Sequence, residues 1–253
     1  MKYYTISDIH GFYDEMIEAL NEKGFFSDTE PHKLIICGDL LDRGTQINEI
    51  TNFVIDLMKK NEVILIRGNH EDLLIDLVDK IYDYLPDPSV YHHGQNGTYK
   101  TALSLAKMKK TDVEINPESF RNRVLCTPFA RKIMENMIDY YETDNYIFVH
   151  GWIPCTAIKI RGKETTYYYK KNWREATKEE WESARWYNGM AAHHFGVREE
   201  NKTIVCGHFH SNWGHSIFEG KEDDFSPFYR EGIIAIDGST VYTKKVNCIV
   251  VED

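Results

Sequence analysis

The sequence predicts an α/β fold, and three observations carry the prediction. Over the first seventy residues, short β-prone runs alternate with amphipathic helical stretches, the pattern of parallel strands joined by crossover helices. Two of the runs, 33–37 and 63–66, are compact and apolar, as buried strands are. Polar residues gather just past the strand ends, the edge at which open α/β sheets bind ligands.

Taken in order, Tyr3 to Ser7 is β-prone and ends at Asp8-Ile9-His10-Gly11. Phe12, Met16, Ala19 and Leu20 follow at helical spacing. Lys33 to Cys37 is stopped by Gly38-Asp39, and Ile47, Ile50, Phe53, Val54, Leu57 and Met58 mark a second helix. Val63 to Ile66 is stopped by Arg67-Gly68-Asn69-His70, and Leu73, Leu74, Leu77, Val78 and Ile81 mark a third. Residues 85–140 read as helical pieces broken at Pro86, Pro88, Pro117 and Pro128. Tyr146 to Val149 is a strand ending at His150-Gly151. Residues 155–200 are polar and aromatic and read as an insertion beside the core, with Trp173, Trp181 and Trp186. Thr203 to Cys206 is a strand ending at Gly207-His208-Phe209-His210. In the tail, 233–236 and 246–251 read as antiparallel strands that complete a second sheet.

The 253 residues lie between one and two domains at roughly 150 residues per domain. Forty acidic against thirty basic side chains give a net charge of −10, which excludes a broad basic nucleic-acid surface. The five cysteines form no Cys-x-x-Cys pair, so neither a disulfide framework nor a thiolate zinc site is expected. No stretch approaches the roughly 18 apolar residues of a membrane span, and the start lacks a signal-peptide pattern. The expectation is a cytoplasmic protein of open oligomeric state.

Five strand ends each deliver metal-ligand side chains: Asp8 and His10, Asp39, Asn69, His150, then His208 and His210. Carboxylate, amide oxygen and imidazole together suit manganese, iron or zinc. Asp8 and His10 are i,i+2, so an extended backbone would point both one way, and His208 and His210 repeat the relation. Alone, Asp39 reads equally as a helix cap and His150 as a hydrogen-bonded core residue. In series they exceed the needs of one tetrahedral ion and suit two ions sharing a carboxylate.

Asp8-Ile9-His10-Gly11, Gly38-Asp39-Leu40-Leu41-Asp42-Arg43-Gly44, Gly68-Asn69-His70-Glu71, His150-Gly151 and Gly207-His208-Phe209-His210 resemble the signature of the calcineurin-like metallophosphoesterases. The Gly-Asp-x-x-Asp-Arg-Gly and Asn-His-Glu forms are similar to the phosphoprotein-phosphatase branch. That branch includes small bacterial and phage serine/threonine phosphatases and symmetrical diadenosine tetraphosphatases. Gln95-Asn96-Gly97-Thr98, followed by Thr101, resembles the Asn-Gly-Gly-x-x-Thr stretch of the small enzymes.

The resemblance implies one domain over 1–253, a four-layer α/β/β/α sandwich with a helical cap at about 72–145 and an insertion at about 155–200. It implies that Asp8, His10 and His210 hold one divalent ion, that Asn69, His150 and His208 hold another, and that Asp39 bridges them. Manganese is the first expectation, with iron or zinc as alternatives. A hydroxide shared between the ions would attack phosphorus. His70 would be the general acid, Asp42 its orienting carboxylate, and Arg43 and Asn69 substrate-binding groups. Arg185 is the candidate for a second phosphate-binding arginine, with Arg161 and Arg174 as rivals.

After His150-Gly151 the chain departs from its relatives with Trp152, read as packing ahead of a base-stacking role. His92-His93 and His193-His194 are each expected to give one contact and one exposed ring. A phosphorylated protein is the first expected substrate and a dinucleoside tetraphosphate the alternative; a non-catalytic scaffold and a nuclease rank lower.

Overall fold

The computed structural model describes residues 1–159 and 165–253. Strands β1 (Lys2–Ile6), β2 (His32–Cys37) and β3 (Val63–Ile66) run parallel in that order. Helices α1 (Tyr13–Glu22) and α2 (Ile47–Lys60) supply the crossovers, and α3 (Asn69–Asp79) leaves β3. Five helices follow: α4 (Ile81–Tyr84), α5 (His92–Gln95), α6 (Thr98–Ala106), α7 (Lys110–Ile115) and α8 (Pro117–Leu125). Pro117 opens α8 at the one helical position that needs no N–H, and the Asn116 side chain caps it.

Then come β4 (Tyr141–Glu142), β5 (Tyr146–Phe148), β6 (Thr156–Ile158), β7 (Thr166–Tyr168), α9 (Lys178–Ala184), α10 (Gly189–His194), β8 (Thr203–Cys206), α11 (Asn212–Glu219), β9 (Phe228–Arg230), β10 (Ile233–Ala235) and β11 (Cys248–Glu252). The second sheet has the order β4-β5-β8-β10-β9, with β5, β8 and β10 parallel.

Side-chain alternation assigns each strand residue to one of three apolar cores. Tyr4, Ile6, Leu34, Ile36 and Leu65 face the core shared with α1, α2 and α3. Their neighbours Tyr3, Ile35, Cys37 and Ile66 meet Phe148, Val205 and Ile234 between the two sheets. Ile147, Ile204, Cys206 and Ile233 face the outer core of the second sheet. Three cores between successive layers make the α/β/β/α sandwich.

Two expectations change. Residues 248–252 do not complete the second sheet: β11 pairs antiparallel with β1 in the first. Without it the outer edge of β1 would present unpaired backbone groups, and Ile249 and Val251 join the inter-sheet core on the same parity as Tyr3. The second-sheet half of the expectation holds, with β9 added antiparallel to β10. The aromatic insertion is part of the core it was expected to lie beside: Tyr167, Trp173 and Trp181 are buried in the outer core. Trp152 is buried there too, its indole N–H donating to the Val197 carbonyl at 3.0 Å, so it packs and meets no pocket.

Candidate active site

β1, β2, β3, β5 and β8 all end at one place, where the two sheets meet. Each strand delivers its polar groups two to four residues past its end. Asp8 and His10 reach the site through left-handed backbone (φ 52° and 51°), which replaces the extended geometry expected of the pair. Among the described residues, eleven non-glycine positions have positive φ, and Asp8, His10, Asp39, Asp42, Arg43 and His208 are six of them. Such conformations cost about 1–3 kcal/mol each and persist where surrounding structure over-determines them. The loops also approach closely: a Cβ on Gly68 would lie 2.1 Å from Asp39 Oδ1, and one on Gly38 would lie 2.6 Å from the Gly68 backbone.

Asp39 belongs to two ligand groups, with His10 and His70 and with His150 and His208. Its Oδ2 lies 3.8 Å from both His10 Nε2 and His70 Nε2, and its Oδ1 lies 3.4 Å from His150 Nε2. Asn69 Oδ1 is 2.8 Å from His150 Nε2. Asp8 Oδ1 is 4.0 Å from His10 Nε2, while its Oδ2 accepts from Ser7 and from the His208 backbone N–H. His210 is the most open of the seven, its side chain half exposed, with Nε2 3.8 Å from Asp237.

The donors suit divalent ions in a further respect. His10 bonds the Leu41 carbonyl through Nδ1 at 3.1 Å, His150 the Cys37 carbonyl through Nδ1 at 2.7 Å, and His208 the Trp186 backbone. A bond at one ring nitrogen sets the tautomer and leaves the other for a metal. Burial holds all three imidazoles below their usual range, and it raises the Asp39 carboxyl well above its own, with Asp8 and Glu71 adding to the rise. Neutral rings and a buried carboxylate short of positive charge are what a cation would find favourable.

His70 Nδ1 donates to Asp42 Oδ2 at 2.6 Å, and Arg43 spans the opening with NH1 3.0 Å from His10 Nε2 and NH2 3.3 Å from His70 Nε2. Arg185 is placed differently. It is buried, its two terminal nitrogens donate to Asp72 and Asp139, and its Nε–H has no partner among the described residues. Arg174 pairs with Glu142 and Glu199, and Arg161 lies outside the described residues.

Three residues carry no role in the sequence pattern, and a fourth, Trp186, belongs to the aromatic insertion, whose rings read as packing ahead of base stacking. Thr98 Oγ1 donates to Asp42 Oδ2 at 2.6 Å, the oxygen that also accepts from His70 Nδ1. Glu71 accepts from the backbone N–H groups of Gly68, Leu40 and Asp39 at 2.8, 3.0 and 3.1 Å, tying two ligand loops together. Asp237, past the end of β10, adds an acid at a sixth strand end, and its Asp-Gly stop was the available signal. Trp186 is half exposed with its ring 5.6 Å from His208. A third His/Asp group lies away from these loops: His93 is buried 3.1 Å from Asp76, and His92, half exposed, faces the same oxygen at 4.0 Å. That pair gives the expected one contact, His93, and one exposed ring, His92. Lys80 and Tyr84 already bond Asp76, so it works as a structural hub. The other pair behaves as expected, with His193 bonded to the Glu231 carbonyl and His194 exposed.

A family profile described as calcineurin-like phosphoesterase matches residues 1–232, so the chain belongs to that family. The chain is 35% identical over 120 residues to the asymmetrical bis(5′-nucleosyl)-tetraphosphatase PrpE of Bacillus velezensis, covering 45% of each protein. It is 41% identical over 75 residues to the symmetrical bis(5′-nucleosyl)-tetraphosphatase of Buchnera aphidicola, covering 30% of this chain and 26% of that one. The matched stretches span under half the length of these relatives. The cold-active protein-tyrosine phosphatase of a psychrophilic Shewanella species superposes over the whole chain and 75% of its own, with a TM-score of 0.52 at 18% identity, a likeness of fold alone. Divalent metals are the family's usual cofactors, and the two groups sharing Asp39 are suited to them. No described helix is long and apolar enough to cross a membrane.

Proposed function

We propose that the protein hydrolyses the phosphoanhydride of dinucleoside tetraphosphates, placing this substrate ahead of a phosphoprotein. The observation that carries the reading is that relatives 34–41% identical over 75–120 residues are named bis(5′-nucleosyl)-tetraphosphatases. In this reading Asp8, His10 and His210 hold one divalent ion, Asn69, His150 and His208 hold a second, and Asp39 serves both. When bound, the ions neutralise phosphate charge and provide a nucleophile at neutral pH.

The chain's own residues do the rest. Arg43 swings its planar fork from the two imidazoles onto non-bridging phosphate oxygens. His70 delivers a proton from Nε2 to the leaving oxygen while Asp42, bonded at Nδ1, holds the ring and stabilises its charged form. Asn69, at the first position of α3, orients substrate beside its neighbour His70.

Parallel rates in manganese for diadenosine tetraphosphate, a phosphoserine peptide and p-nitrophenyl phosphate test the proposal. The dinucleotide should lead in kcat/KM by at least tenfold, about 1.4 kcal/mol of transition-state binding. A peptide lead of that size would restore the phosphoprotein reading. Product analysis, two ADP against ATP plus AMP, reads which anhydride is cut.

A further inference from the structure

We infer that the cavity beside Asn69 is a nucleobase subsite with Trp186 as its stacking surface, an inference that rests on the dinucleotide reading above. The cavity has about 560 Å³ and is lined by Asn69 and other residues of α3, by Tyr84 and by Trp186. That volume falls among small-molecule sites, which span about 300–1,000 Å³.

Trp186 differs from the other large aromatics of its segment. Trp152, Trp173 and Trp181 are 1%, 0% and 3% exposed, whereas Trp186 is 46% exposed. An open indole loses apolar burial unless something covers it. Its ring stands at 85° to that of His208, an edge contact that leaves much of the indole open, and its backbone fixes the same imidazole. A base lying on it would therefore carry its phosphates directly to the ligand loops.

The platform is held rigidly. Arg185, the preceding residue, is clamped between Asp72 on α3 and Asp139, so the turn does not need ordering when a ligand arrives. Asp76 and Glu182 line the cavity, each paired with a lysine of the same lining, Lys80 and Lys178, and their carboxylates can accept from the exocyclic amino group of a base.

The test is calorimetric binding to the manganese-loaded protein of α,β-methylene-ADP against methylenediphosphonate, which share phosphorus chemistry and differ by the nucleoside. The nucleotide should bind about fivefold or more tightly, the range of base–aromatic stacking. Trp186→Ala should abolish most of that advantage and Trp186→Phe should keep it, while methylenediphosphonate binds all three alike. No advantage in the wild type, an advantage unchanged in Trp186→Ala, or a KM effect of that variant confined to phosphopeptides would overturn the subsite. If dinucleotides are not turned over yet the Trp186-dependent advantage is present, the subsite stands and the proposed function falls.

Discussion

His70 is held from two sides, by Asp42 at Nδ1 and by the Arg43 fork at Nε2. A proton delivered from Nε2 matters in proportion to the basicity of the leaving oxygen. His70→Ala should therefore lower alkyl monoester hydrolysis by about 10²–10⁴-fold, and phosphoanhydride cleavage by clearly less; equal losses in steady-state assays would remove the acid role. Thr98 adds a second prediction. Its hydroxyl shares Asp42 Oδ2 with the imidazole, so it restrains the carboxylate that restrains the ring. Thr98→Val should reduce kcat several-fold on alkyl esters with KM little changed, and Thr98→Ser should restore it. The seven candidate ligands were legible because each is a hard or borderline donor shortly after an apolar run. Thr98 was not, because a threonine opening a helix has no local mark of a partner 56 residues earlier. Nor did the i,i+2 spacing of Asp8 and His10 disclose their left-handed backbone, since a tertiary constraint imposes it.

Among the elements, α3 carries the most consequence. Its first turn contains Asn69 and His70, and Glu71 satisfies three backbone N–H groups from two loops. Leaving a buried donor unpaired costs about 1–3 kcal/mol. Glu71→Ala should accordingly lower the free energy of unfolding by several kcal/mol in urea titrations and reduce bound metal, with Glu71→Gln intermediate. At the end of β4, hydrogen bonds from Arg174 hold the Glu142 carboxyl down to about 2, against burial, with Lys202 assisting. A depressed folded pKa gives stability that is present above the ordinary glutamate value and lost as pH falls toward 2. Glu142→Gln should melt lower than wild type at pH 7, with the difference closing by about pH 2; a gap constant with pH would refute the ion-pair origin. Strand positions were readable from composition. The sheet that β11 joins was not, because pairing with β1 depends on which distant edge is free.

For the whole molecule, the net charge of −10 acquires a location. Two divalent ions would reduce it formally to about −6, and all of that change falls at one sheet edge, making a cationic pocket within an acidic surface. Ligands that bind only the folded chain stabilise it, by about 2.7 kcal/mol at a hundredfold excess over Kd. Chelation should lower the melting temperature by several degrees and manganese should restore it, read by differential scanning calorimetry; a melting curve indifferent to both would argue for a scaffold without ions.

The pairing of β1 with β11 also bears on how the chain acquires its structure. β1 leaves the ribosome long before the strand that closes its edge, since Lys2 meets Glu252. Synthesis at about 5–20 residues per second leaves that edge open for tens of seconds. Contacts of such long sequence separation also slow folding. The interval exposes a strand reading Lys-Tyr-Tyr-Thr-Ile to other nascent chains, and the lysine at its start, a charge on an edge strand, is the protection it carries meanwhile.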